Sequence, residues 1–175
     1  MLARLSVLCA FLALLVVAAG CGGGGSSSGT ASSQTGGSGG DKATFIEEAD
    51  VVCTEYQEEV APIKSELEAL ESVAEPESKA NLTKLGGLVN KALVAAEAEL
   101  DSIRELEIPQ ADEPTIEKML ATAEEGNGLA VEGATALEAG DPQKFGELVP
   151  EGEAINAKAT KMAEGYGFKV CGQVE

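Results

Sequence analysis

Histidine and tryptophan are absent from the 175 residues, and the other aromatics are scarce, with four Phe and two Tyr. Without histidine the chain has no imidazole to act as base, proton shuttle or ligand. The Glu-x-x-His pairs that hold di-iron centres in helical bundles are excluded with it. The aspartate-rich calcium loop with its fixed glycine does not occur, and Glu97, Glu99 and Asp101 offer only loose divalent binding on what reads as a wet helix face. The serines lie in the leader, in a Gly/Ser tract, or at Ser65, Ser72, Ser78 and Ser102, and none sits in a nucleophile motif. The expectation is a protein that is not an enzyme and holds no metal or cofactor. A core with so few rings must be built from Leu, Val, Ile and Ala.

Positive charge is the next shortage, with 12 Lys and Arg against 30 Asp and Glu. All the acids follow residue 40, whereas one base, Arg4, precedes it, so the chain beyond the leader carries 19 net negative charges. Such a surface repels nucleic acid and anionic lipid headgroups, attracts cationic partners, and keeps a tethered domain dispersed.

Long hydrophobic runs are missing except for one, Leu5 to Val17, with Arg4 before it and the small residues Ala18, Ala19 and Gly20 behind. That layout predicts a secretory signal peptide over residues 1–20. The run is shorter than the roughly 20 residues a membrane-spanning helix needs. Residues 22–40 are almost wholly Gly, Ser and Thr, which cannot repay the entropy of ordering. They read as a flexible stalk with a span of about 25 Å, followed by one domain over 41–175.

Cysteine usage fits this address. Of four cysteines, Cys9 falls in the leader and Cys21 at its boundary, leaving Cys53 and Cys171 as an even pair. With no CxxC motif, a structural disulfide in an oxidising compartment is the expectation.

Along the domain, apolar residues recur at three- and four-residue steps. Phe45, Ala49, Val52, Tyr56, Val60, Ile63, Leu67 and Leu70 form the first stripe, opened by a capping box at Thr44 and Glu47 and kinked at Pro62. Leu82, Leu85, Val89, Ala92, Ala96, Leu100, Ile103 and Leu106 form the second, weakened by Gly86-Gly87 and closed before Pro109. The third starts near Asp112 or Glu113 and stops at Gly140, and its glycines 126, 128 and 133 allow either close helix contact or a shallow groove. Asp141-Pro142 opens the fourth, Pro150 bends or interrupts it, and Gly165 and Gly167 end it before an extended tail to Cys171.

Four helices with short connections predict an all-α, up-down-up-down four-helix bundle. That topology brings the end of the fourth helix beside Cys53. Phe45, Tyr56, Tyr166 and Phe168 should gather around the disulfide as a satellite core, and Tyr56, Tyr166 and Phe168 are the candidate pocket if one exists there.

Two resemblances extend this reading. Val17-Ala18-Ala19-Gly20-Cys21 resembles the bacterial lipobox, which implies a diacylglyceryl group on the Cys21 thiol, cleavage just ahead of it, and a lipid-held protein on the outer side of a cell membrane. Several acyl chains anchor firmly where one is reversible. Glu48-Ala49-Asp50-Val51-Val52-Cys53 and Tyr166-Gly167-Phe168-Lys169-Val170-Cys171-Gly172 are similar to segments of small, uncharacterised lipoproteins of high-GC Gram-positive bacteria. That likeness implies fold and location and supplies no site residues. The functional expectation is a membrane-anchored, non-catalytic binding or interaction module that engages an envelope protein or a cationic ligand. The alternative is a small-molecule or cation-binding accessory protein of a transporter.

Overall fold

Capping chemistry sets the helix limits in the computed structural model, which describes residues 40–73 and 75–172. The leader, Cys21 and the Gly/Ser tract lie outside the described residues. Four helices follow in order: α1 (Lys42–Glu71), α2 (Lys79–Glu105), α3 (Glu113–Ala139) and α4 (Pro142–Tyr166). The described residues contain no strand. The molecule is an up-down-up-down four-helix bundle closed by a disulfide between Cys53 and Cys171.

The first helix begins a turn before the expected capping box. Asp41, not Thr44, is its N-cap, its carboxylate accepting from the Ala43 amide at 3.3 Å while its carbonyl accepts from Phe45 at 2.9 Å. A carboxylate outranks a threonine hydroxyl in this role and adds favourable charge at the helix N-terminus. Ser78 caps α2 through the Asn81 amide, and Asp141 caps α4 through the Lys144 amide at 2.9 Å, with Pro142 behind it. Gly140 ends α3 in the left-handed region at φ 77°, where the Gly140 and Asp141 amides donate to Leu137 and Ala136. Glycine takes this conformation without the Cβ penalty.

Neither internal proline interrupts its helix, so of the two outcomes expected at Pro150, a bend or an interruption, the interruption does not occur. Both Pro62 and Pro150 are exposed, so each lies on the outer face of its helix. Buried Leu148, Val149 and Ile155 hold α4 on the bundle across the missing bond.

The core has two well-filled ends and a thin middle. At one end Leu67, Leu70, Leu82, Leu137 and Phe145 pack together. At the other, Phe45, Ile103, Ile116, Tyr166 and Phe168 surround the disulfide. Between them the buried residues are small, chiefly Ala92, Ala95 and Ala134 with Val60, Val89 and Leu93. Close backbone packing runs between consecutive helices, α1 with α2, α2 with α3 and α3 with α4. The α1 to α4 seam has no comparable stretch of close approach.

Candidate functional site

Alanines and glycines at the middle of the bundle cannot reach across it, and two adjoining cavities lie there beside a wider polar recess of about 390 Å³ near Arg104 and Glu124. The larger of the two cavities, about 210 Å³, is walled by all four helices and by the tail after α4. Leu100, Ile103, Ile116, Met119 and Leu120 make its apolar floor, with Phe168 and the disulfide at one end. The smaller, about 160 Å³, lies further along the bundle against Val89, Leu93, Gly126 and Ile155. Tyr56, Ala123, Asn156 and Ala159 line both, so the two spaces adjoin at these four residues. A methyl group on Gly126 would touch Ile155 at 3.4 Å, which is ordinary contact, so this glycine widens the space and does not permit a closer crossing. Gly133 and Ala134, by contrast, are buried between helices. The expected alternatives, close packing and a groove, both occur on α3, one turn or two apart.

The polar groups facing the larger cavity are Tyr56 and Gln57 from α1, Glu99 from α2 and Asn156 from α4. No Lys or Arg lines either space. Glu99 is half-buried and makes no hydrogen bond or ion pair among the described residues. Burial pushes its carboxyl up to about 8. Loss of solvation penalises the charged form, and no cation is present to compensate. The Tyr56 phenol is pushed above its ordinary range by burial first, then by the negative charges of Glu99 and Glu59. Tyr56 also makes no hydrogen bond among the described residues. The cavity thus presents an apolar body with a small unpaired polar corner.

Its end wall is fastened in two ways. The disulfide ties Cys171 to Cys53 with a Cα separation of 5.3 Å. One turn earlier on α1, the Asp50 carboxylate accepts hydrogen bonds from three successive tail amides, Lys169 at 3.0 Å, Val170 at 2.9 Å and Cys171 at 3.1 Å. The tail is therefore bent around a carboxylate and is not an extended strand. Gly172, at φ 75°, continues the turn where a Cβ would meet the Ala163 methyl at 2.5 Å.

Two of the three residues read from sequence as a candidate pocket line the cavity, Tyr56 and Phe168. Tyr166 does not. Its ring packs against Phe45 and Phe168 at centroid distances of 6.2 and 5.1 Å, and its hydroxyl donates to Asp112 at 2.9 Å. Lys42 lies 3.9 Å above the same ring. Tyr166 is a core residue whose polar tip has a partner, and Asp112, engaged with it, makes no side-chain cap on α3. Tyr56 stands apart from this aromatic triad and packs beside Val60, Ala92 and Ala95. The loose acidic face also separates: Glu97 and Asp101 are exposed, Asp101 pairs with Arg104 at 2.8 Å, and Glu99 turns inward. Among the described residues no three His, Cys, Asp or Glu side chains are grouped to hold a metal ion.

Sequence reasoning missed Glu99, Asp50, Gln57 and Asn156. For Glu99 a signal was present, since it falls seven residues after Ala92 and four before Ile103, on the apolar stripe itself. Asp50 is three residues before Cys53, hence on the same helix face as the cysteine. Comparison of the chain with protein-family models, with curated proteins and with solved structures found no significant match.

Proposed function

We propose that this chain is a membrane-anchored, extracytoplasmic, non-catalytic binding protein of the cell envelope that holds a small ligand in the cavity beside Tyr56, Glu99 and the disulfide. The observation that carries the reading is the adjoining pair of apolar spaces with unpaired polar groups at one corner, the usual make-up of a small-molecule site. Attachment falls to the lipid on Cys21, through the lipobox-like run ending there. None of the described helices is long and apolar enough to cross a membrane. An accessory role beside an envelope transporter, capturing a ligand at the end of a long tether, suits such a molecule.

A docking face for a protein partner has less behind it. The exposed valines Val51, Val94 and Val131 stand on three different helices, and isolated apolar residues on a surface are ordinary.

Two measurements test the reading. Cys21→Ser in the native host should move the protein from the membrane to the soluble fraction with its melting temperature unchanged, and continued membrane retention would refute the anchor. Full-length protein in nanodiscs should be stabilised against heat by at least one member of a panel of cationic, neutral and anionic eight-carbon amphiphiles. Ala123→Phe, which fills the junction of the two spaces, should abolish that shift. A panel without effect on the wild-type protein would refute the cavity as a binding site.

A further inference from the structure

Glu99 is the one acidic side chain lining the cavity, and it has no counter-ion. The groups packed around it are unambiguous in sign. From α1 come Tyr56 and, behind it, Glu59; from α2 only Glu99 itself; from α3 Met119, Leu120 and Ala123; from α4 the neutral Asn156; and from the tail apolar atoms and the disulfide. No Lys or Arg lies in the wall, so an entering cation meets no like charge there. Beyond the cavity, the chain after the leader carries 19 net negative charges, so small cations are concentrated at its surface.

Resting on the reading of the cavity as a ligand site, we infer that the ligand is a protonated amine with an apolar body, its ammonium group paired with Glu99 and hydrogen-bonded to the Tyr56 hydroxyl. The apolar body lies along Leu100, Ile103 and Leu120 toward Phe168. An ammonium group supplies both things the corner lacks, a positive charge for the carboxyl and a donor for the phenol oxygen. A carboxylate ligand would find no Lys or Arg in the wall to pair with it.

Proton linkage separates this assignment from simple apolar capture. Burial holds the Glu99 carboxyl near 8, so at pH 7 the empty site is mostly protonated. Forming the ion pair requires the carboxylate, and binding of a charged amine at pH 7 therefore expels close to one proton. A neutral alcohol of the same length expels none. Affinity for the amine rises with pH below about 8 and levels above that, because more of the carboxyl is then ionised before binding.

The probes are n-octylamine, n-octanol and octanoate, measured by titration calorimetry on full-length protein in nanodiscs, in buffers of different ionisation enthalpy. The expected result is tightest binding of octylamine with nearly one proton released at pH 7, and at least a tenfold loss of that affinity in Glu99→Gln with octanol affinity kept. Tyr56→Phe gives a second variant, expected to weaken octylamine several-fold while leaving the proton release in place. Octanol or octanoate binding as tightly as the amine, or amine affinity unchanged in Glu99→Gln, would overturn the amine assignment while the cavity reading stands. Failure of all three probes would overturn both.

Discussion

Asp50 shows how much a single carboxylate settles in this molecule. Its two oxygens take three consecutive amides of the tail, from residues 119 to 121 positions away. Without it the three amides lose the acceptor that gathers them, and those of Val170 and Cys171 are part-buried. Asp50→Ala should lower the unfolding free energy by ~2 kcal/mol, the range for hydrogen bonds to a charged acceptor. Asp50→Asn, which keeps one oxygen, should lose less, and urea denaturation of the two variants checks the order. Glu99 works in the opposite direction. Its carboxyl is raised in the folded state, so between its ordinary range and about pH 8 the native protein holds a proton that the unfolded chain has released. The unfolded state then binds fewer protons, and stability from this group falls as pH rises across that window. Glu99→Gln should therefore gain on the wild type by about 1 kcal/mol or more between pH 5 and pH 8, read from paired urea curves at both values. Neither role was legible from residue type. An aspartate near a helical cysteine and a glutamate among glutamates look like solvated surface, and only contact with a distant tail or a desolvating wall changes their meaning.

At the scale of the helix, what is local in sequence was readable and what depends on a neighbour was not. The end of α3 and the limits of α4 follow from Gly140, Asp141-Pro142 and Gly167, all of which act within a few residues of themselves. The start of α1 was misplaced by three residues because two good caps stand close together. Pro150 was expected to bend or interrupt α4, and of these the interruption does not occur, since the helix runs unbroken from Pro142 to Tyr166. Gly86-Gly87 shows the division most plainly. In sequence both are helix-weakening glycines, yet they have different surroundings. A Cβ on Gly86 would come within 2.8 Å of the Ala134 carbonyl and 2.7 Å of the Glu138 side chain on α3, whereas one on Gly87 meets nothing within 4 Å. Gly86 is the point at which α2 and α3 approach, and Gly87 faces solvent. Gly87→Ala should stabilise the bundle by about 0.5–1 kcal/mol, the helix-propensity difference. Gly86→Ala should destabilise it by about 1–3 kcal/mol, because backbone on the facing helix cannot yield as a side chain can. Thermal unfolding followed by circular dichroism would show the two adjacent substitutions shifting the midpoint in opposite directions.

For the whole molecule, the four stripes and the cysteine pair were enough to give the bundle and its closure, since an up-down-up-down path returns the chain to its starting end. The cavity was not, because empty space is a property of what facing helices fail to fill, and no single stripe records it. Its location follows from the same composition that excluded aromatics. Most rings are spent at the two ends, with Phe145 at one and Phe45, Tyr166 and Phe168 at the other, and between them Tyr56 stands among alanines. The loosest seam, α1 against α4, is bridged mainly by the tail. Cross-linking residues 118 apart restricts the unfolded chain strongly, by about 4.7 kcal/mol for a loop of this order in the chain-entropy model. Replacing Cys53 and Cys171 together by alanine should therefore lower stability by several kcal/mol while leaving the four helices assembled, because Leu67, Leu137 and Phe145 at the far end share no contact with the bridge. Asp50 would still gather the tail, but without a covalent stop the wall formed by Phe168, Val170 and residue 171 should open far more often. Hydrogen exchange should accordingly rise at residues 45–53 and 168–172 and stay slow around Leu82 and Leu137. Exchange that quickens uniformly along all four helices would mean instead that the bridge supports the entire bundle, and that the end wall does not open independently of the rest.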